Sequence, residues 1–410
     1  MINSHDPIQA PQDLNDLISR CVHCGFCNAT CPTYLATGLE LEGPRGRIEL
    51  IRSMLDRQPV TEKTRGHLDH CLTCLACETT CPSGVEYRHI IDGGRQWLDA
   101  TQPRSLTSRL PRLLLTKAMN HPRWLSLGFK VGRQLRILLP RAFDAYLKMP
   151  RQGPRSDLKT HGTGRKVLIL GGCVQRALAP AIDDALATIL GRLGYQVIRI
   201  TNTDCCGALG YHLGEIQSAR AQAQKTLHAL EPYLNPAEEA HPFILMSSSA
   251  CGLMLKDYRT VLKGDTAWEQ KAGQILPWLL DPLELMGRHV EDLKQHMNVN
   301  ATQGIPLRLH EPCTFQHGLR LRGRLTVLFR ELGFNVAEAP SSQICCGAGG
   351  IHPLLNPGAA KTLRAQKRKA LGLDSGDTDL ALTANIGCML HLDEAGDVRH
   401  WIEFLGSKLG

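Results

Sequence analysis

Cys21, Cys24, Cys27 and Cys31, with Pro32 behind the last, form a C-x2-C-x2-C-x3-C-P run. The same run returns fifty residues later as Cys71, Cys74, Cys77, Cys81 and Pro82. Three cysteines two residues apart let one tight loop aim three sulfurs at a common point. The fourth leaves at another angle, held by a proline that fixes φ and has no N–H to donate. Gly25, inside the first run, suits a positive φ or a close backbone approach to sulfur.

This is the spacing of the bacterial ferredoxin run, in which the fourth cysteine ligates the other cluster. It predicts one [4Fe–4S] cluster on Cys21, Cys24, Cys27 and Cys81, and a second on Cys71, Cys74, Cys77 and Cys31. Hydrogen bonds to the sulfurs, net charge and solvent exposure then set the potentials. Zinc sites more often show two CxxC pairs across a longer spacer. Disulfide scaffolds suit small secreted domains, whereas this chain has 410 residues. It opens MINSHDPIQAPQDLN, without the apolar core of a signal peptide. The sixteen cysteines are therefore expected as reduced thiolates in a cytosolic compartment, many of them metal-bound. A chain of this kind moves single electrons.

The expected fold is multidomain. Residues 1–100 read as a mainly α-helical, ferredoxin-like domain for two [4Fe–4S] clusters, with a helix over Asp13–Ser19. Gly43-Pro44-Arg45-Gly46-Arg47 is expected to break the chain ahead of a helix over Ile48–Leu55. Residues 101–165 read as a basic helical connector interrupted at Pro111, Pro122 and Pro140, ending in a polar linker near 151–164. The stretch 100–166 holds fifteen Lys or Arg against two acids, a local charge of about +13 in a chain whose net charge is +8.

Beyond the connector the chain repeats, and a fixed period takes precedence over local readings. Cys173, Cys205 and Cys206 recur 140 residues on as Cys313, Cys345 and Cys346; so do Gly207, Gly210 and His212 as Gly347, Gly350 and His352. Cys251 is matched by Cys388 after 137 residues. Apolar strands (Val167–Leu170, Leu307–Leu309) enter the first cysteine of each repeat, helical patterns follow (Ala181–Leu193, Leu325–Leu332), and glycine stops lead into Val197 and Val336. Ile244–Met246 and Leu380–Thr383 are the last strands before Cys251 and Cys388. Strands alternating with helices predict two repeated α/β units named for their Cys-Cys-Gly blocks, over 166–285 and 286–410. Right-handed crossovers put the cysteines on one edge of each parallel sheet, and the repeats are expected to face each other as a pseudo-twofold pair.

Cys173, Cys205, Cys206 and Cys251, then Cys313, Cys345, Cys346 and Cys388, are candidates for a further metal or redox centre, one per repeat or one shared. Buried free thiols and cysteine-bound zinc stay open beside that reading. His212, His352, His310 and His317 are metal-ligand or proton-handling candidates, set against the ordinary role of a satisfied core histidine. No Rossmann glycine fingerprint follows a strand and no P-loop is present, so chemistry on carbon is expected elsewhere and no residue here is assigned as catalytic. No apolar run reaches the ~18–20 residues that span a bilayer. The basic connector reads as a solvated or interdomain face, a dock for an acidic protein, or a contact for anionic lipid. Little aromatic interleaving argues against nucleic acid.

The runs CVHCGFCNATCPTY, GPRGRI, CLTCLACETTCPSGVEY, both CCG blocks, TANIGC and VRHWIE together resemble the glycolate oxidase iron–sulfur subunit family. The resemblance implies a non-flavin subunit of an oxidoreductase that takes glycolate to glyoxylate, and also D-lactate, inactive without its partners. Two FAD-binding subunits do that oxidation, and this subunit carries electrons towards the respiratory chain and quinone. It places the assembly on the cytoplasmic face, peripheral to the inner membrane. Paired CCG units also occur in lactate and glycerol-3-phosphate dehydrogenase subunits and in heterodisulfide reductases. The reductase pattern closes each repeat with CxxC, but here Ser248 and Asn385 replace the first cysteine of that pair, which puts five-thiolate clusters in doubt.

Overall fold

The computed structural model describes residues 11–119, 122–134, 164–234, 241–298, 306–337, 339, 343–374 and 380–410. Each ferredoxin run is a loop that ends in one helical turn, Phe26–Thr30 in the first and Ala76–Thr80 (α5) in the second. The helices around them are α1 (Pro11–Ser19), α2 (Pro32–Thr37), α3 (Pro44–Leu55), α4 (Glu62–Asp69) and α6 (Tyr87–Thr101). Leu14, Ile18, Ile51, Met54, Ile90 and Ile91 from α1, α3 and α6 fill a core on which Cys21, Cys27, Cys71, Cys77 and Cys81 also pack.

Two expectations about prolines and glycines are corrected. The Gly43–Arg47 stretch is not a break before a helix: Pro44 is the first residue of α3 and Gly46 lies in its first turn. Proline is tolerated there because its missing N–H has no intrahelical partner anyway. Gly46 is required because a Cβ would sit 2.2 Å from the Glu40 carbonyl oxygen. Nor does Pro111 interrupt the connector, since α7 (Leu106–Met119) runs through it. The arginines either side hold it: Arg104 binds Asp69 through both guanidinium ends at 2.6 and 2.8 Å, and Arg112 reaches the same carboxylate at 3.0 Å. Tertiary ion pairing thus outweighs the one helical hydrogen bond that proline forfeits. Pro122 starts α8 (Pro122–Gln134). Pro140 and nearly all of the 151–164 linker lie outside the described residues.

Two four-stranded sheets follow, ordered β2-β1-β3-β4 and β6-β5-β7-β8. The first comprises β1 (Lys166–Leu170), β2 (Gln196–Ile200), β3 (Phe243–Leu245) and β4 (Leu279–Leu280); the second comprises β5 (Leu307–His310), β6 (Val336–Ala337), β7 (Ala381–Thr383) and β8 (Val398–His400). Every pairing is parallel, with Val167 beside Val197 and Phe243, and Leu309 beside Leu382. The central strands are buried on both faces, as parallel strands under helices must be. One apolar core runs through both units, from Ile169 and Leu186 to Leu309, Phe329 and Trp401. Helix Ala181–Arg192 of the first unit packs on Trp401–Gly406 of the second, so closely that a Cβ at Gly406 would be 2.8 Å from the Ala185 methyl. Among the described residues no helix is long and apolar enough to cross a membrane.

Candidate metal centres

The two ferredoxin loops repeat each other's backbone. His23 and Gly25 adopt φ of 53° and 83°, and at the same places in the second run Thr73 and Leu75 adopt 49° and 64°. Left-handed residues on either side of the middle cysteine wind the chain so that successive N–H groups turn inward, the concave arrangement that holds anionic groups. Thr30 and Thr80, one residue before the fourth cysteine of each run, touch through their hydroxyls at 3.2 Å. The loops therefore meet just ahead of their fourth cysteines, Cys31 and Cys81. Burial first, then the charges of Cys74, Cys71, Glu78 and Cys31, push the Cys77 thiol well above its ordinary range. Burial, with Cys21 and Cys24 nearby, likewise lifts Cys27 to about 11. Cys81 packs on the same core as Cys21, Cys27, Cys71 and Cys77. All sixteen cysteines are free. Thiols packed this tightly resist ionising alone, which is the donor chemistry of a site completed by metal.

Arg47 is the main counter-charge. It is 1% exposed, donates Nε to the His67 carbonyl at 2.7 Å and both terminal nitrogens to Thr33 Oγ1, and pairs with Glu42 at 2.8 Å. Its Nη1 lies 4.0 Å from Cys31 Sγ. Burial alone would weaken its charge, but Cys71, Tyr87, Cys31 and Glu42 around it hold it fully protonated. Glu42 also meets His67 Nδ1 at 2.6 Å and His70 Nδ1 at 2.9 Å, and these bonds with Arg47 outweigh its own burial and keep it ionised. Near the first loop, Arg45 spans Glu40 at 2.6 Å and the His23 carbonyl at 3.1 Å.

The eight cysteines of the α/β units lie at the C-terminal edges of their sheets, as strand order predicts. They line, with Cys71, one cavity of about 410 Å³ between the ferredoxin domain and both units. In the first unit Cys173 and Cys205 sulfurs are 3.5 Å apart, and Cys206 interacts with Cys205 and Cys251. In the second, Cys313 and Cys345 are 3.8 Å apart and Cys346 and Cys388 3.3 Å. Gly207 and Gly347 carry the turns at φ of 87° and 92°, donating their N–H groups towards the sulfurs of Cys205 and Cys345, two residues back, at 3.5 Å. The units face each other as expected: Ser249 N–H donates to the Ala384 carbonyl at 3.1 Å, and Asn385 Nδ2 reaches Ser249 Oγ at 3.3 Å. Leu72, Cys74 and Ala76 from the second ferredoxin loop pack in one cluster with Cys345, Leu363 and Cys313.

Comparison with known proteins follows this division. A 4Fe-4S dicluster domain family matches residues 17–85, and a cysteine-rich domain family matches 167–256 and 307–393. A protein of Escherichia coli K12 named glycolate oxidase iron-sulfur subunit is 39% identical over 401 residues, 97% of this chain and 95% of its own. The chain belongs to the glycolate oxidase iron–sulfur subunit family. A Bacillus subtilis protein named probable glycolate oxidase iron-sulfur subunit is 25% identical over 91% of this chain and 87% of its own. Lactate utilization protein A of Bacillus cytotoxicus is 25% identical over 60% of this chain and 94% of its own.

In this family member the four candidate histidines have separate fates. His212 Nδ1 sits 3.2 Å from both Asp92 oxygens, and His317 Nδ1 sits 2.7 Å from Thr79 Oγ1, so both stitch the ferredoxin domain to the α/β units. His352 lines the cavity with neither ring nitrogen hydrogen-bonded among the described residues, and burial lowers it to about 4. His310 lies beside Cys346 and Cys388. Arg47, Glu42 and His67 are residues beside the cysteines that sequence reading missed. GPRGRI points to Arg47 as a motif residue, but its partners stand up to 20 residues away and carry no pattern of their own.

Proposed function

We propose that this chain is the electron-transfer subunit of a glycolate oxidase, passing electrons from FAD-bearing partner subunits towards quinone. Cys21, Cys24, Cys27 and Cys81 hold the first [4Fe–4S] cluster; Cys71, Cys74, Cys77 and Cys31 hold the second. Each takes one electron at a time, so the pair accepts in sequence the two electrons that leave a flavin together. The observation that carries this reading is the run of sulfurs from Cys27 and Cys77, packed on one core, to Cys74, packed in one cluster with Cys345 and Cys313. The α/β cysteines then form a further relay or the exit.

The entry face suits a partner. Val22 and Phe26 in the first cluster loop are 68% and 62% exposed. Attachment to the inner membrane surface is supported elsewhere, by Leu106, Leu110 and Leu114 exposed at i, i+4 and i+8 along α7, and by Leu127 and Val131 on α8. Basic residues on the same hairpin add attraction to anionic lipid. Disulfide reduction by the α/β units is the weaker reading, because Ser248 and Asn385 stand where a fifth cysteine is needed, and Asn385 instead caps its helix through the Gly387 and Cys388 N–H groups.

The test is anaerobic reconstitution. Glycolate should bleach the clusters of this chain only when the flavoprotein subunits are present, with D-lactate acting more slowly. Glycolate oxidation by the chain alone, or clusters that stay oxidised in the full mixture, would overturn the reading.

A further inference from the structure

His310 ends β5 three residues before Cys313, and Leu170 ends β1 three residues before Cys173. The two positions are equivalent in the repeat, and Leu170 belongs to the same buried apolar cluster as Cys173, Cys205 and Cys206. His310 therefore stands where the first unit has a leucine in the apolar cluster that holds its sulfurs. It is 1% exposed, and neither ring nitrogen has a hydrogen-bond partner among the described residues. A buried imidazole with both nitrogens unmet is costly unless something else binds it.

Its surroundings say what binds it. One ring nitrogen, Cys346 Sγ and Cys388 Sγ all lie within 4.8 Å of one another. Bonds of ~2.3 Å to sulfur and ~2.0–2.1 Å to nitrogen place neighbouring donors of one tetrahedral metal atom roughly 3.5–3.8 Å apart. The three donors are thus near enough for a single metal atom. Burial and the charge of Lys367 keep the ring neutral, the form that ligates. Lys367 itself is 3% exposed; burial lowers it below the ordinary lysine range, and the nearby Cys346, Cys345, Cys388 and Cys313 oppose that. Gly207 packs on Ala219 and Gly347 on Ala360; seven residues further along each helix stand Thr226 and Lys367. The second unit has replaced a hydroxyl by a cation as well as a leucine by an imidazole. Both changes fit an anionic metal–thiolate group in that unit.

We propose that His310 is a nitrogen ligand of the metal centre in the second CCG unit, beside Cys346 and Cys388, and that it fills the ligand place left by the cysteine missing at Asn385. The first unit has Leu170 at the equivalent place, so the two repeats differ in chemistry although they share a fold. The proposal rests on the reading that the second unit holds metal, and a separate variant tests that. In Rieske centres, histidine in place of cysteine raises the potential of the iron it binds, so this unit would sit at the accepting end of the relay.

The experiment uses the full chain, purified anaerobically, as wild type, His310→Leu and Cys388→Ser, with histidine-specific 15N labelling of the wild type. Cys388→Ser should lose metal relative to wild type. If it does not, the second unit is metal-free and both the relay through it and the proposal fall. Where the lost metal is iron, pulsed EPR of wild type should show a strongly coupled nitrogen that changes isotope with labelled histidine. Where it is zinc, zinc-edge absorption should show a light-atom shell at ~2.0–2.1 Å beside sulfur. Either signature should vanish in His310→Leu, which installs the residue of the first unit. Metal lost in Cys388→Ser with no nitrogen signature in wild type, or a signature unchanged in His310→Leu, overturns the proposal and leaves the relay intact.

Discussion

Replacing Arg47 with methionine, which keeps the stem and removes the charge, should lower the potential of the cluster assigned to Cys71, Cys74, Cys77 and Cys31. Arg47 Nη1 is 4.0 Å from Cys31 Sγ. A full charge pair at that distance is worth ~4 kcal/mol at an effective dielectric constant of ~20. The electron added on reduction spreads over the cube and its four thiolates, so its mean separation from Arg47 is roughly double and the interaction about 2 kcal/mol. For a one-electron couple that is a fall of about 90 mV, since 59 mV corresponds to a tenfold change in the constant. The assay is an EPR-monitored redox titration of the anaerobic protein. Glu42 would lose its 2.8 Å partner and be left buried against His67 and His70, at a folding cost of about 3–5 kcal/mol. The double variant Arg47→Met/Glu42→Gln removes that buried charge and should recover part of both the stability and the potential. A folded, cluster-loaded Arg47→Met protein with an unchanged potential would refute the placement of this guanidinium as the counter-charge.

Other consequences follow from packing, titration and ligand exchange. Gly46→Ala would drive a Cβ to 2.2 Å from the Glu40 carbonyl, so α3 must shift, at about 1–3 kcal/mol, and a lowered unfolding temperature with reduced iron retention is expected; wild-type values for both would contradict the fold of this turn. Asp281 is buried at the N-terminus of helix Pro282–Met286, accepting from Leu283 N–H at 2.9 Å, and burial pushes its carboxyl up to about 7. A carboxyl whose folded value is raised contributes its full stability below the unfolded value near 3.8 and loses it as pH rises towards 7. Asp281→Asn keeps the accepting oxygen and cannot titrate, so its thermal stability should match wild type near pH 4 and exceed it above pH 7, by up to roughly 4 kcal/mol. A stability difference that does not vary with pH would remove burial as the cause. Cys81→Ser should damage the cluster of Cys21, Cys24 and Cys27, while Cys31→Ser should damage that of Cys71, Cys74 and Cys77. The opposite pairing of variant and lost signal would show that each run serves its own cluster.

What the sequence made legible was whatever is local or periodic. The spacing of Cys21–Cys31 and Cys71–Cys81 specified two equivalent loops, and the 140-residue period specified two sheets with cysteines at their strand ends. Strands β4 and β8 were not legible, because two and three residues are too few to show a pattern. The α7 helix through Pro111 was hidden because the forces holding it are ion pairs to Asp69, some 35 and 43 residues away in the chain. The same holds for the stitching of the domains: Thr79 meets His317 across 238 residues, and Arg88 meets Asp257 across 169. His310 was visible as a histidine near a cysteine, and the 140-residue period sets it against Leu170, but only the fold shows that neither ring nitrogen is hydrogen-bonded among the described residues.

The most direct test of the account is iron and acid-labile sulfide per chain, measured on anaerobically purified protein together with EPR of the dithionite-reduced state. Two cubanes predict roughly eight irons and eight sulfides, with further iron if the α/β cysteines are loaded with it, and a pair of interacting reduced-cluster signals. A colourless protein with zinc in place of iron, or an iron content near four with one isolated signal, would contradict it.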